Sequence, residues 1–143
     1  MARSGAPKGI VRRTLNAIMR ALLRRGIGPP GIWLLQTRGR KTAVVRTTPV
    51  SLVEDETGRY LVSPYGVTAW VVNARAEGAV SLRRGRHSER LTVSELNAAE
   101  SARVLKRYVE QERIVRPWFD ADHDAPDEAF AAEADRHPVF RLG

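Results

Sequence analysis

The chain has 143 residues, 43% hydrophobic and 28% charged, with a formal net charge of +8. That length suits one ordinary domain able to bury a core without covalent staples, and the lack of cysteine excludes disulfides, thiol nucleophiles and thiolate-bound metals. No apolar run reaches the roughly 18 residues of a membrane span, and arginines interrupt the one apolar stretch near the N-terminus that resembles a signal peptide, so a cytoplasmic location is expected.

The positive charge is unevenly placed. Residues 1–53 carry eleven Lys or Arg and no acid, while the remaining ninety residues carry thirteen bases against sixteen acids. Such asymmetry suggests an anionic partner, either a phosphate ligand, a nucleic acid or a lipid headgroup. Plain solubility in a base-rich proteome is the competing explanation.

In chain order, residues 1–7 read as a disordered lead. Lys8 to Arg25 form a basic amphipathic helix: Ile10, Val11, Leu15, Ile18, Met19, Leu22 and Leu23 recur at helical spacing, with Arg12, Arg13, Arg20 and Arg24 on other faces. Such a helix packs on its own domain or lies on an anionic membrane. Ile32–Thr37 is the first strand and Val44–Val53 the second, with Pro49 expected at an edge or bulge. Between them lies a connector rich in cations, with Arg38, Arg40, Lys41 and Arg46 in nine positions and no acid.

Glu54–Gly58 is a polar hairpin turn and Arg59–Ser63 the return strand. Ser63–Gly66 (SPYG) ends it, and Thr68 is placed to cap a short helix over Ala69–Ala76. Ala79–Arg84 and His87–Val93 make another hairpin. Ser94 is expected to cap a helix from Glu95 to about Glu110, with Leu96, Val104, Leu105 and Tyr108 inward. Residues 111–125 look irregular. Asp120, Asp122, His123 and Asp124 match no calcium-loop template and read as a solvated acidic loop, with no metal site expected. Pro126 opens a last helix to about Ala134, and Pro138–Leu142 closes the chain as a strand. Consecutive hairpins favour an antiparallel sheet, and a small barrel with flanking helices closes its edges. The expected fold class is mainly β with flanking helices (α+β). Residues 1–31 form the lead and helix, and residues 32–143 a cofactor-binding barrel, one domain in all.

Hydrolytic motifs are missing: there is no G-x-S-x-G, no H-E-x-x-H and no cysteine. Neither a P-loop nor G-x-G-x-x-G is present. The connector nonetheless suits phosphate or carboxylate. Arg offers a planar fork and Lys a compact charge, Gly39 permits close backbone approach, and Thr37, Thr42, Thr47 and Thr48 add hydroxyls. A solvated basic loop would look the same. The second constellation is Ser63 to Ala76, a strand-to-helix passage with free amides. In it Trp70 and Asn73 share a helical face and Arg75 adds a cation. A core Trp with a helix-capping Asn is the alternative.

At these two segments the sequence resembles the deazaflavin (F420)-dependent nitroreductase family, a branch of the flavin reductase-like, FMN-binding split β-barrels. The residues that carry the resemblance are Gly39-Arg40-Lys41-Thr42, then Arg46, Thr48 and Pro49, then Ser63, and Trp70-x-x-Asn73 followed by Arg75. It implies a split barrel and an oxidoreductase that passes a hydride from reduced coenzyme F420 to a quinone, enone or nitro compound, with FMN a weaker cofactor candidate. It implies that Arg40 and Lys41, with Thr42 beside them and Arg46 following, hold the coenzyme's phosphate and oligoglutamate tail; Arg38 is added from its location alone. Thr48, Pro49 and Val50 would line the ring, and Ser63, Pro64, Tyr65 and Gly66 would meet the ring or the acceptor. Trp70, Asn73 and Arg75 would support the pocket wall. Ser63 and Tyr65 are the candidate proton donors. The chain departs from the family in Pro64-Tyr65-Gly66, where a Lys-containing glycine-rich turn is usual, and in Ala43-Val44-Val45, where Gly-x-Pro is usual.

The alternatives are a split barrel that binds FMN, haem or a lipid-like molecule without turnover, and a nucleic-acid binder. The second is disfavoured because aromatics are only 6% and the connector lacks stacking residues. The expected partner is a small-molecule hydride acceptor. A homodimer and peripheral membrane contact through the first helix remain open.

Overall fold

The computed structural model describes residues 10–26, 31–39 and 41–143, with side chains from residue 17 onward in the first helix. The expected lead, the start of the expected helix, residues 27–30 and Arg40 lie outside the described residues. The elements are α1 (Ile10–Arg24), β1 (Ile32–Arg38), β2 (Val45–Asp55), β3 (Gly58–Val62), α2 (Ala69–Glu77), β4 (Ala79–Arg84), β5 (His87–Glu95), α3 (Ala98–Gln111), α4 (Asp127–Ala131) and β6 (Val139–Leu142). Two 3-10 segments, Arg113–Trp118 and Ala134–Arg136, flank α4. The six strands close into a barrel in the hydrogen-bonded order β1-β2-β3-β6-β5-β4. Closure leaves no open sheet edge, as the run of hairpins led us to expect.

Two compact units share the chain: the described residues of 7–52 and 69–93 with Gly143, and residues 53–68 with 94–142. In the first, β1 pairs antiparallel with β2 on one side and β4 on the other. The β1–β2 register is unbroken from Ile32↔Ser51 to Arg38↔Val45. Pro49 is therefore in neither a bulge nor an edge strand. Leu52 N–H donates to Gly31 at 2.9 Å and Gly39 N–H to Val44 at 2.8 Å. Every second pair between those two is hydrogen-bonded, and Leu34↔Pro49 falls in the gap. The N–H that Pro49 lacks would point away from β1, so the ladder loses nothing.

Helices α1 and α2 both rest on β1 and β4. Leu23 of α1 is completely buried, while Ile18 and Leu22 are exposed. The end of α1 meets the β4–β5 turn closely: Gly85 N–H donates to the Leu23 carbonyl at 2.7 Å. A Cβ on Gly85 would lie 3.0 Å from Gly26 Cα, and its φ of +59° already disfavours a side chain.

The second unit carries the main apolar cluster. Val53, Tyr60, Val62 and Val139 from the strands meet Val104, Leu105, Tyr108 and Val109 of α3, with Val115, Trp118, Phe119 and Phe130. Ser94 does not cap α3. It extends β5, and Asn97 caps the helix in a reciprocal box with Glu100 (2.8 and 3.1 Å). The region expected to be irregular contains the first 3-10 segment, because Val115 and Trp118 must reach the core. The last helix stops at Ala131 rather than Ala134, and the 3-10 turn that follows brings Ala134 and His137 inside.

The β2–β3 turn is clasped by α3. Arg103 pairs with Asp55 and donates to Thr57 Oγ1 at 3.0 Å, and Thr57 Oγ1 lies 2.7 Å from the Tyr60 hydroxyl. The Thr57 hydroxyl and then the Arg103 guanidinium hold the Asp55 carboxyl well below the usual carboxylate range, against the opposing effect of burial. Its contribution is complete above the ordinary aspartate pKa of about 3.9 and is lost as pH falls toward the lowered native value. Asp55→Asn should cost about 1 kcal/mol at neutral pH, since Arg103 is half exposed. Urea unfolding should also show a shallower loss of stability on acidification; equal acid sensitivity in variant and parent would contradict this account.

Candidate functional site

The connector is a six-residue hairpin loop, 39–44, between β1 and β2. It is held by Gly39 N–H to Val44 C=O (2.8 Å), Ala43 N–H to Gly39 C=O (2.9 Å) and Val44 N–H to Thr42 Oγ1 (3.3 Å). A Cβ on Gly39 would press on Thr42 Oγ1 at 2.6 Å and break that last bond. Arg38, Lys41 and Arg46 are exposed, and among the described residues none of the three side chains has a protein partner. Arg46 shares the Thr37 face of the ladder, while Arg38, opposite Val45, takes the other face; exposed cations of this kind are open to an external anion. Arg40 lies outside the described residues.

The pleat decides which side chains accompany these cations. Opposed residues share a face, so Thr37 with Arg46, Leu35 with Thr48 and Trp33 with Val50 lie on one side of the ladder. The Pro49 ring takes the other side. A ligand against this face would meet Thr48 and Val50, and Pro49 only through its backbone.

Helix α2 approaches that same face. Trp70 and Asn73 are both buried, and Asn73 Nδ2 donates to Thr37 Oγ1 at 3.3 Å. Asn73 is therefore no helix cap. It ties the middle of α2 to the end of β1, one residue before the first connector cation. Arg75 is exposed in the last turn of α2.

Ser63–Gly66 belongs to the second unit. Ser63 is buried, its Oγ donates to Gly66 C=O at 2.6 Å, and its N–H donates to Pro138 C=O at 2.9 Å. Tyr65 stands edge-on to Trp118, with centroids 5.0 Å apart. Thr68 N–H turns back to Gly66 C=O (3.1 Å). Its Oγ1 is shielded from solvent and has no hydrogen-bond partner among the described residues, so Thr68 does not cap α2 through its side chain. An orphaned hydroxyl beside a turn is a polar group that a bound ligand can satisfy.

Sequence reasoning missed what backs this turn. His137 Nδ1 lies 2.9 Å from Pro64 C=O and Nε2 2.8 Å from Glu133 Oε1. Its ring stacks on Phe119 at 3.8 Å. The Glu133–His137 spacing of four is the sequence signal that could have found the pair. Tyr108, also near the turn, is pushed far above the ordinary phenol value by burial and then by the charges of Glu112 and Tyr65, so it stays neutral. Asp120 of the acidic loop takes Arg136 as a partner at 2.8 Å.

Comparison with known proteins decides the family. A model described as F420H(2)-dependent quinone reductase matches residues 10–116. The chain belongs to the F420H2-dependent quinone reductase family. It is an F420-dependent reductase, and coenzyme F420 is its cofactor. A solved F420-H2 dependent reductase (FDR-A) superposes with TM-score 0.54 at 25% identity, covering 80% of this chain and 95% of that one. A structure described as a domain-swapped dimer gives TM-score 0.57 at 22% identity, covering 93% and 96%. A putative pyridoxamine 5'-phosphate oxidase from Listeria innocua gives 0.53 at 13%, covering 90% and 92%. The last two establish the split-barrel fold alone. No curated protein sequence matches the chain. Exposed cations with no protein partner among the described residues are chemically suited to the anionic groups of such a coenzyme.

The Asn73–Thr37 bond is testable within this family's scaffold without any ligand. Thr37→Val alone strands a buried amide and should cost about 1–3 kcal/mol. Adding Asn73→Leu should recover part of that loss in thermal unfolding. Purely additive losses would show that the two side chains act independently.

Proposed function

We propose that this reductase delivers a hydride to a quinone, enone or nitro acceptor, with the connector cations gripping the anionic tail of the coenzyme. The observation that carries the reading is the trio Arg38, Lys41 and Arg46 on one short hairpin, exposed and without protein partners among the described residues. Charge-assisted hydrogen bonds from such groups hold phosphodiester and carboxylate oxygens and steer the ligand's approach. Arg40 stands beside them in sequence. Thr48 and Val50 offer one β-face to the ring, and Asn73 with Trp70 braces the hairpin from α2.

Bound in reduced form, the coenzyme supplies the hydride. The chain supplies position, a dry surface and the proton that completes a two-electron reduction. Ser63 is poorly placed to give that proton, because its hydroxyl is committed to Gly66 C=O. That leaves Tyr65 as the proposed donor to the developing oxyanion. Thr68 Oγ1, without a hydrogen-bond partner among the described residues, is a polar group that a bound acceptor can satisfy. Light scattering against the 15.9 kDa chain mass decides between monomer and homodimer.

The test combines titration with turnover. Fluorescence titration should show coenzyme binding that weakens with salt, and menadione should reoxidise the reduced coenzyme, followed by ring absorbance. The triple variant Arg38→Gln, Lys41→Gln, Arg46→Gln should lose about 100-fold in affinity at low ionic strength, at roughly 1 kcal/mol for each exposed cation. Unchanged affinity in the triple variant would refute the grip. Tyr65→Phe should lower turnover about tenfold or more while leaving coenzyme affinity within a factor of about two.

A further inference from the structure

We infer that His137 is a positioning residue: oriented by Glu133, it donates Nδ1–H to the Pro64 carbonyl and so fixes the Ser63–Gly66 turn. The inference rests on the reading that this turn faces the reacting ring and acceptor. A backbone carbonyl only accepts, so the 2.9 Å contact requires a proton on Nδ1. The other ring nitrogen is held at 2.8 Å by Glu133, whose side chain is 2% exposed against 3% for His137.

Glu133 is itself anchored. Its two oxygens accept from Asp120 N–H (3.1 Å to each) and Ala121 N–H (2.8 Å). Phe119 stacks on the imidazole, so ring position and tilt are both set. The neighbouring backbone completes the hold: Ser63 N–H donates to Pro138 C=O, and Gly66 lies against Arg136 C=O, 3.7 Å from where a Cβ would stand. Residues 136–138 thus grip the turn at its first, second and fourth positions.

A proton-relay role does not fit this geometry. Pro64 C=O is a dead end for protons, and Glu133 points into a cage of backbone amides. The arrangement resembles second-layer support of a catalytic group, where orientation rather than charge transfer is delivered. Pro64 itself offers no N–H. Its carbonyl is the handle that remains.

The experiment pairs amide exchange on cofactor-free protein with kinetics. In His137→Phe, which keeps a ring on Phe119, the Ser63 and Thr68 amides should exchange at least tenfold faster. Leu52 N–H, bonded to Gly31 in the other unit, should not change. Turnover with menadione should fall tenfold or more while the coenzyme dissociation constant stays within threefold. Glu133→Gln should behave like wild type. Its amide nitrogen can donate to His137 Nε2 while its oxygen accepts from residues 120 and 121, which leaves Nδ1–H on Pro64.

If His137→Phe does not fold, Glu133→Ala carries the test and should loosen the same two amides selectively. Unchanged turn exchange in the folded variants, or equal loosening of Leu52, overturns the positioning role whatever the kinetics show. So does unchanged turnover alongside a loosened turn. Wild-type protein that fails to bind the coenzyme would instead remove the functional reading, with the exchange data still deciding whether His137 fixes the turn.

Discussion

The antiparallel register between β1 and β2 is the constraint on which most else depends. Because Gly31↔Leu52 and Gly39↔Val44 are both hydrogen-bonded positions, every pair between them has a fixed type and a fixed face. That parity excuses Pro49 its missing donor and puts Arg46, Thr48 and Val50 on the face of β1 that carries Thr37. A slip by one residue would reverse both outcomes. Lys41, in the loop that follows, is exposed and open to solvent or ligand.

Two sets of titratable side chains among the described residues contrast. Asp55, Glu133 and His137 are shielded, and each has directed partners: Thr57 and Arg103 for the first, the amides of residues 120–121 and each other for the rest. Burial without those bonds would cost several kcal/mol, so these groups serve the fold. Arg38, Lys41 and Arg46 are exposed and unpartnered among the described residues, and water makes that nearly free. Such groups add little to stability, which is why their clustering points outward to an anion.

The two candidate regions are also built differently. The connector depends on local hairpin geometry plus one tie from α2. The Ser63–Gly66 turn depends on residues some seventy positions later, which reach it through β6 and the 3-10 turn before it. Its aromatic neighbours Trp118 and Phe119 come from a segment with no strong periodicity in sequence.

By itself the sequence determined the strand-and-hairpin order, the charge asymmetry, the basic connector and the motif spacing of the F420-dependent family. Each of these is written in local pattern: alternation, turn residues and nearest-neighbour charge. It mistook Ser94 and Thr68 for caps, because many hydroxyls satisfy a cap pattern and only backbone geometry chooses among them. It placed Pro49 at a defect, because a proline's cost depends on ladder parity that no single strand reveals. The partners of Thr37, Pro64 and Asp55 were decided by tertiary structure alone, since hydrogen bonds spanning 36, 73 and 48 residues depend on which faces the closed barrel brings together.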